Sequence, residues 1–259
     1  MAEQEVVHVA VAPPARIEEE LVNKVAAIVA KNSYETRLRL TGKIPKIIAN
    51  YGNMQMAEST ARSLRDLGLV AIVCTDSELR SPSQIYRAHA IKFEEQAVLL
   101  SNRSGQTRRV DAGQMFLILS GRMQIETQTE ITKTKRKLNV TATLLMGGIP
   151  IRKKVKEKVT RTSYQTDSFI RLYGKVSPEI AVEILHQEFD YSFLGDEMTS
   201  SSATNFSVAV RKIREAFPQA VFDDRLMEPF GGDVHSALAQ DNIDMNCKLI
   251  YCYHKAVKS

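Results

Sequence analysis

Two periodicities alternate along this chain, and each predicts its own kind of element. Val6, Val7, Val9 and Val11 form a β-branched run that stops at Pro13-Pro14, the pattern of a short strand. Ile17, Leu21, Val25, Ile28 and Val29 then recur at spacings of three and four, opposite Glu18, Glu19, Glu20, Lys24 and Lys31. That spacing predicts an amphipathic helix with its acids at the end where the dipole favours them. Tyr34 and Leu38 continue into a second, shorter helix, which Gly42 suits as a terminator. Ile44–Tyr51 reads as a strand and Gly52-Asn53 as a turn and cap. Ala57, Ala61, Leu64 and Leu67 form one face of a third helix, and Leu69–Cys74 is a closing strand.

Past residues 77–84, SELRSPSQ, a linker rich in Ser and with a Pro, the texture changes to strands. They are expected over Ile85–Phe93, Ala97–Ser101, Thr107–Val110, Met115–Thr127 and at Phe169–Tyr173, with a hairpin loop at 101–105. In 178–187, Ser177-Pro178-Glu179 would start a helix while Ile180, Val182 and Ile184 alternate as a strand does; the alternation is preferred. Thr204 or Ser202 caps a helix over 203–217 with Phe206, Val210, Ile213 and Phe217 on its inner face, and MNCKLIYCYH reads as a final strand. The expectation is an α+β chain: an α/β domain over 1–76, the linker, and a mainly antiparallel domain over 85–259 with a helix near 203–217.

Two stretches carry a likeness to known families. SYETRLRLTGKIPKII followed by AESTARSLRDLGLVAIV, within the order strand, helix, helix, strand, helix, strand, resembles the C-terminal domain of ribosomal protein L7/L12 and its structural relative, the ClpS adaptor. The resemblance covers residues 5–76, with Pro45 in the place of that domain's proline. It implies a fold used for binding other proteins, translation factors in one case and degradation substrates in the other. The functional residues do not carry over: Glu35 and Leu38 stand where L7/L12 has lysines, and APPAR follows the first strand where ClpS has its acidic and histidine pocket. AVLLSNRSGQTRRVDAGQMFLILSGRM, within 85–175, is similar to the hairpin and following strand of bacterial pleckstrin-homology-like (PH-like) domains, whose fold binds lipids, proteins or copies of itself.

Composition alters this picture at one place. The chain of 259 residues has a net charge of +5, yet between Lys133 and Arg161 ten basic residues stand against Glu157 alone. The basicity is therefore local, and the rest of the chain is net acidic. Lys133, Lys135, Arg136, Lys137, Arg152, Lys153, Lys154 and Lys156 are the candidate anion-binding residues. Ten cations in about thirty residues suit a polyanion, held with strong salt dependence. The segment contains no aromatic residue, so bases would find nothing to stack on, and a phosphate backbone or an acidic lipid surface fits better. The competing reading is a solvated hairpin that binds nothing. A further set, Arg37, Arg39, Lys43 and Lys46, reads first as ordinary solvated charge.

Catalytic and cofactor signals are weak. Gly147-Gly148 is followed by Ile-Pro, without the Lys and Ser/Thr of a nucleotide loop, and no serine stands in a Gly-x-Ser-x-Gly setting. Asp233 and His235 beside Gly231-Gly232 allow a hydrolase reading of low weight. Cys247, Cys252 and His254 would not converge on a metal from a strand, where Cys247 points to the opposite face. No cofactor and no metal are expected. Three cysteines without an export signal, and no apolar run of membrane-spanning length, predict a cytoplasmic chain with reduced thiols and no transmembrane segment. The leading expectation is a non-enzymatic interaction or scaffold protein with an unknown protein partner or self-association; the alternative is an anion binder acting through 133–161.

Overall fold

The computed structural model describes residues 5–81, 84–138, 152–176, 180–228 and 240–258, of which 125–138, 152–162, 180, 181, 240 and 241 are described by their backbone. The chain forms two compact units, one of residues 1–123 with 167–259 and one of 124–166. The class is α+β.

The first part follows the predicted order: β1 (Val7–Val11), α1 (Glu19–Val29), α2 (Ser33–Leu40), β2 (Lys46–Tyr51), α3 (Met54–Asp66) and β3 (Ala71–Thr75). β1 lies between β2 and β3 and pairs antiparallel with both. As the central strand it is buried along its whole length, so His8 and Ala10, which alternate with its valines, are buried as well. Val22, Val25 and Val29 of α1 and Ala57, Ala61 and Leu64 of α3 pack on one face of this sheet. Caps explain where two of the helices begin. Asn32 accepts from Glu35 N at 2.7 Å and Asn53 from Met56 N at 2.8 Å, each relieving an orphan donor of the first turn. Gly42, with φ of +106°, turns the chain after α2 in a conformation that side chains resist.

The segment expected as a linker holds a helix instead over its first half. α4 (Asp76–Arg80) starts in a capping box, with Thr75 accepting from Glu78 N and Glu78 accepting from Thr75 N. The strands that follow are β4 (Gln84–Ala88), β5 (Ala90–Phe93), β6 (Ala97–Ser101), β7 (Thr107–Asp111), β8 (Met115–Leu138), β9 (Arg152–Gly174), β10 (Ile180–Leu185) and β11 (Val221–Leu226). The single run predicted over 85–93 is divided at His89 between two sheets. β5, β6 and β7 make an antiparallel meander, while β4 is the edge of a five-stranded sheet ordered β11-β8-β9-β10-β4. That sheet is mixed: β10 is antiparallel to β9, while β10–β4 and β11–β8 are parallel pairs within a domain expected to be mainly antiparallel.

Residues 180–185 are a strand, as their alternation predicted. α5 (Ser202–Ala216) takes its cap from Ser201, which accepts from Thr204 N at 3.3 Å, so neither expected residue, Ser202 or Thr204, is the cap. Phe206, Ile213 and Phe217 close over Ile118, Ile170, Leu172 and Ile184 of the sheet. The predicted final strand is a helix, α6 (Gln240–Lys258). Its buried residues Ile243, Cys247, Ile250 and Tyr251 fall at helical spacing. Leu249, with Met245, Cys252 and Tyr253, packs on Ala10, Ile72, Cys74 and Leu79, so the C-terminal helix completes the N-terminal core.

Candidate functional site

All eight basic candidates fall on two neighbouring strands. Lys133, Lys135, Arg136 and Lys137 lie in β8, and Arg152, Lys153, Lys154 and Lys156 in β9. Their side chains, the connecting residues 139–151, and the Asp233 and His235 pair are outside the described residues. A pleated strand alternates its faces, so residues two apart, such as Lys133, Lys135 and Lys137, occupy positions of one kind.

Within 1–123 and 167–259 the titratable groups gather in clusters that no local signal announced. Glu183 and Arg171 are register partners on β10 and β9, and both side chains are fully buried. Arg171 Nε donates to Glu183 Oε1 at 2.9 Å, and Nη2 lies 2.8 Å from the same oxygen and 2.5 Å from Asp244 Oδ1 of α6. Arg87 of β4 donates to the other oxygen, Oε2, at 3.2 Å from Nε. Burial pushes the Cys247 thiol up to about 11 and the Tyr173 phenol well above its ordinary value, so both are neutral at pH 7. The charge on Arg171 is therefore balanced by the two carboxylates. The cluster clamps β9, β10, β4 and α6 together; Arg171 and Glu183, the pair at its centre, expose no surface to a substrate.

A second cluster joins β11 to α6. Asp223 Oδ2 accepts from His254 Nε2 at 2.7 Å and from Arg225 Nη2 at 2.5 Å, while Arg225 Nη1 donates to the Lys43 carbonyl at 3.0 Å. Burial pushes the Asp223 carboxyl up, but the bonds from His254 and Arg225 outweigh it and hold the group well below the usual carboxylate range. Lys43, one of the basic residues near α2, is itself paired with Glu228, and Lys46 Nζ donates to the Leu38 carbonyl at 3.2 Å.

Three histidines, His8, His89 and His186, find their partners through the fold. His8, buried in the central strand, places Nδ1 2.8 Å from Asn50 Oδ1 and Nε2 2.8 Å from Asp76 Oδ1. Its bond is the first cause of the lowered Asp76 carboxyl. His89 Nδ1 is bonded to the Glu188 carbonyl. His186 Nδ1 faces Asp167 Oδ1 at 3.2 Å, which orients the ring as a general base is oriented. However, its Nε2 is buried, has no hydrogen-bond partner among the described residues, and the ring packs edge-on against Phe206. That nitrogen is covered in the structure, although the side chain as a whole keeps 18% of its surface exposed.

Cys247, Cys252 and His254 go to three places, because they sit on a helix. Cys247 faces Arg171 and Tyr173, His254 reaches Asp223, and the Cys252 thiol is hydrogen-bonded to Cys74 of β3. All three cysteines are free. Among the described residues no group of three metal-binding side chains converges, and no helix is long and apolar enough to cross a membrane. Comparison with protein-family models, with curated proteins and with solved structures finds no match to this chain.

Proposed function

We propose that the chain is a non-enzymatic interaction protein, and that the basic positions of β8 and β9 form its binding element for a polyanion. The observation that supports this reading is the coincidence of the candidate cations with two neighbouring strands. Basic groups that stand on either side of the stretch 138–151 in sequence thereby belong to one ribbon. Without aromatic residues the ribbon would contact phosphates or head groups and ignore bases. In the clusters described above, the titratable side chains are turned to holding strands and helices together, which favours binding over catalysis.

The test is anisotropy titration of a random-sequence duplex, and flotation with phosphatidylserine vesicles, over a range of salt. Replacing Lys133, Lys135, Arg136, Lys137, Arg152, Lys153, Lys154 and Lys156 by Gln should flatten the salt slope by about 0.9 for each duplex phosphate that is no longer neutralised. For vesicles it should remove about 1 kcal/mol per cation at the surface. Absence of salt-sensitive binding by the unmutated chain to either probe refutes the reading.

A second surface favours a protein partner. Tyr34 and Leu38, one turn apart on α2, are 75% and 50% exposed. The likeness of 5–76 to protein-binding domains supports the same use. Passing native extract over both the unmutated and the neutralised chain separates the two surfaces, since a stoichiometric protein retained by both is not held by the ribbon.

A further inference from the structure

A cleft of about 460 Å³ opens where β7, the start of β8, the end of β9 and β10 meet. Its volume is that of a small-molecule site. Its floor is apolar: Met115, Leu172 and Val182 are 3%, 2% and 4% exposed, and Val110 adds a wall. Val176 stands at the rim, 91% exposed, an apolar side chain with nothing over it among the described residues. Three cations border the cleft, and their situations differ. Arg109 is neutralised, with Nη1 2.5 Å from Glu94 and Nε 3.0 Å from Asp111. Arg108 and Lys175 have no carboxylate partner among the described residues.

Both are nevertheless held in place. The Arg108 guanidinium lies 5.4 Å from the centre of the Tyr86 ring, which restrains it without cancelling its charge. Lys175 is pinned through its backbone, its N donating to the Gln114 carbonyl at 3.1 Å and its carbonyl accepting from Tyr251 Oη at 3.1 Å. The cleft therefore joins an apolar floor to two uncompensated cations at its mouth.

We infer that this cleft binds a medium-chain fatty carboxylate, its tail on Met115, Leu172 and Val182 and its head between Arg108 and Lys175. An Arg fork pairs with a carboxylate through two parallel bonds, and an apolar floor gains from covering a chain. A neutral alcohol would leave both cations unpaired, and a cationic amphiphile would be repelled, so the head group decides selectivity.

Calorimetric titration of the full chain with decanoate, below the concentration at which it forms micelles, tests this. Decanoate should bind one per chain, and decanol and decyltrimethylammonium should bind on the order of tenfold more weakly or not at all. Arg108→Ala/Lys175→Ala should lose decanoate binding by a similar factor, and Val110→Trp, which fills the cleft without touching a charge, should also abolish it. The chain neutralised in β8 and β9 should keep it, which separates this site from the ribbon. Equal binding of decanol and decanoate, loss of decanoate by the ribbon-neutralised chain, or unchanged binding by a folded Val110→Trp chain overturns the inference.

Discussion

Glu183→Gln tests whether the buried charge cluster is a structural clamp. The change keeps the shape of the side chain and removes one negative charge from between Arg171, fully buried, and Arg87, whose side chain is 52% exposed. Arg87 recovers hydration at little cost, so the loss falls on Arg171, left with Asp244 as its remaining counter-charge at 2.5 Å. Breaking a buried pair costs about 3–5 kcal/mol, and the surviving Asp244 bond places this case near the lower end, about 3 kcal/mol. At about 2–4 °C per kcal/mol for chains of this size, the midpoint of thermal unfolding should fall by about 6–12 °C. Urea unfolding followed by circular dichroism should show a lower midpoint with an unchanged slope, because the surface exposed on unfolding is the same. Arg171→Met removes the charge from the other side. The double variant should cost less than the two single changes added, since each relieves the orphan left by the other. Strict additivity, or a loss below about 1 kcal/mol for Glu183→Gln, would refute the clamp.

Two other sites give outcomes as definite. Gly121→Ala would set a methyl 2.6 Å from Phe169 Cζ and 2.7 Å from Leu226 Cβ, inside a packed strand layer; about 1–3 kcal/mol of stability should be lost, read as a lower urea midpoint. Asp223 supplies a pH dependence with a definite sign. Its carboxyl is held below the ordinary range in the folded chain, so the unfolded chain takes up the proton more readily. Its stabilisation is complete above the ordinary carboxylate value and fades as pH falls below about 4 towards the depressed folded value. Asp223→Asn should therefore be clearly less stable than the unmutated chain at pH 7, with the gap closing in acid; a gap independent of pH contradicts the assignment.

What the sequence by itself determined is local. The spacing of Leu21, Val25 and Val29, the cap at Asn53, and the alternation at Ile180, Val182 and Ile184 each report an element with one face in the core, and those elements are where the pattern placed them. The clustering of cations over 133–161 was equally plain, being a matter of composition. Tertiary structure decided what local pattern does not encode. MNCKLIYCYH is a helix that the local pattern read as a strand: α6 buries Lys248 and Leu249 besides Cys247, Ile250 and Tyr251, so burial extends past a single apolar stripe, and Lys248 donates to the Ser81 carbonyl at 2.5 Å. The parallel pairings of β4 with β10 and of β8 with β11 join strands about a hundred residues apart, for which neighbouring residues hold no signal. The central pairs of the charge clusters join residues only 12 and 31 apart, yet no local spacing rule announces them. Arg171 and Glu183 meet through strand register, and Asp223 and His254 through the docking of a helix, so their partners exist only once the chain has closed on itself.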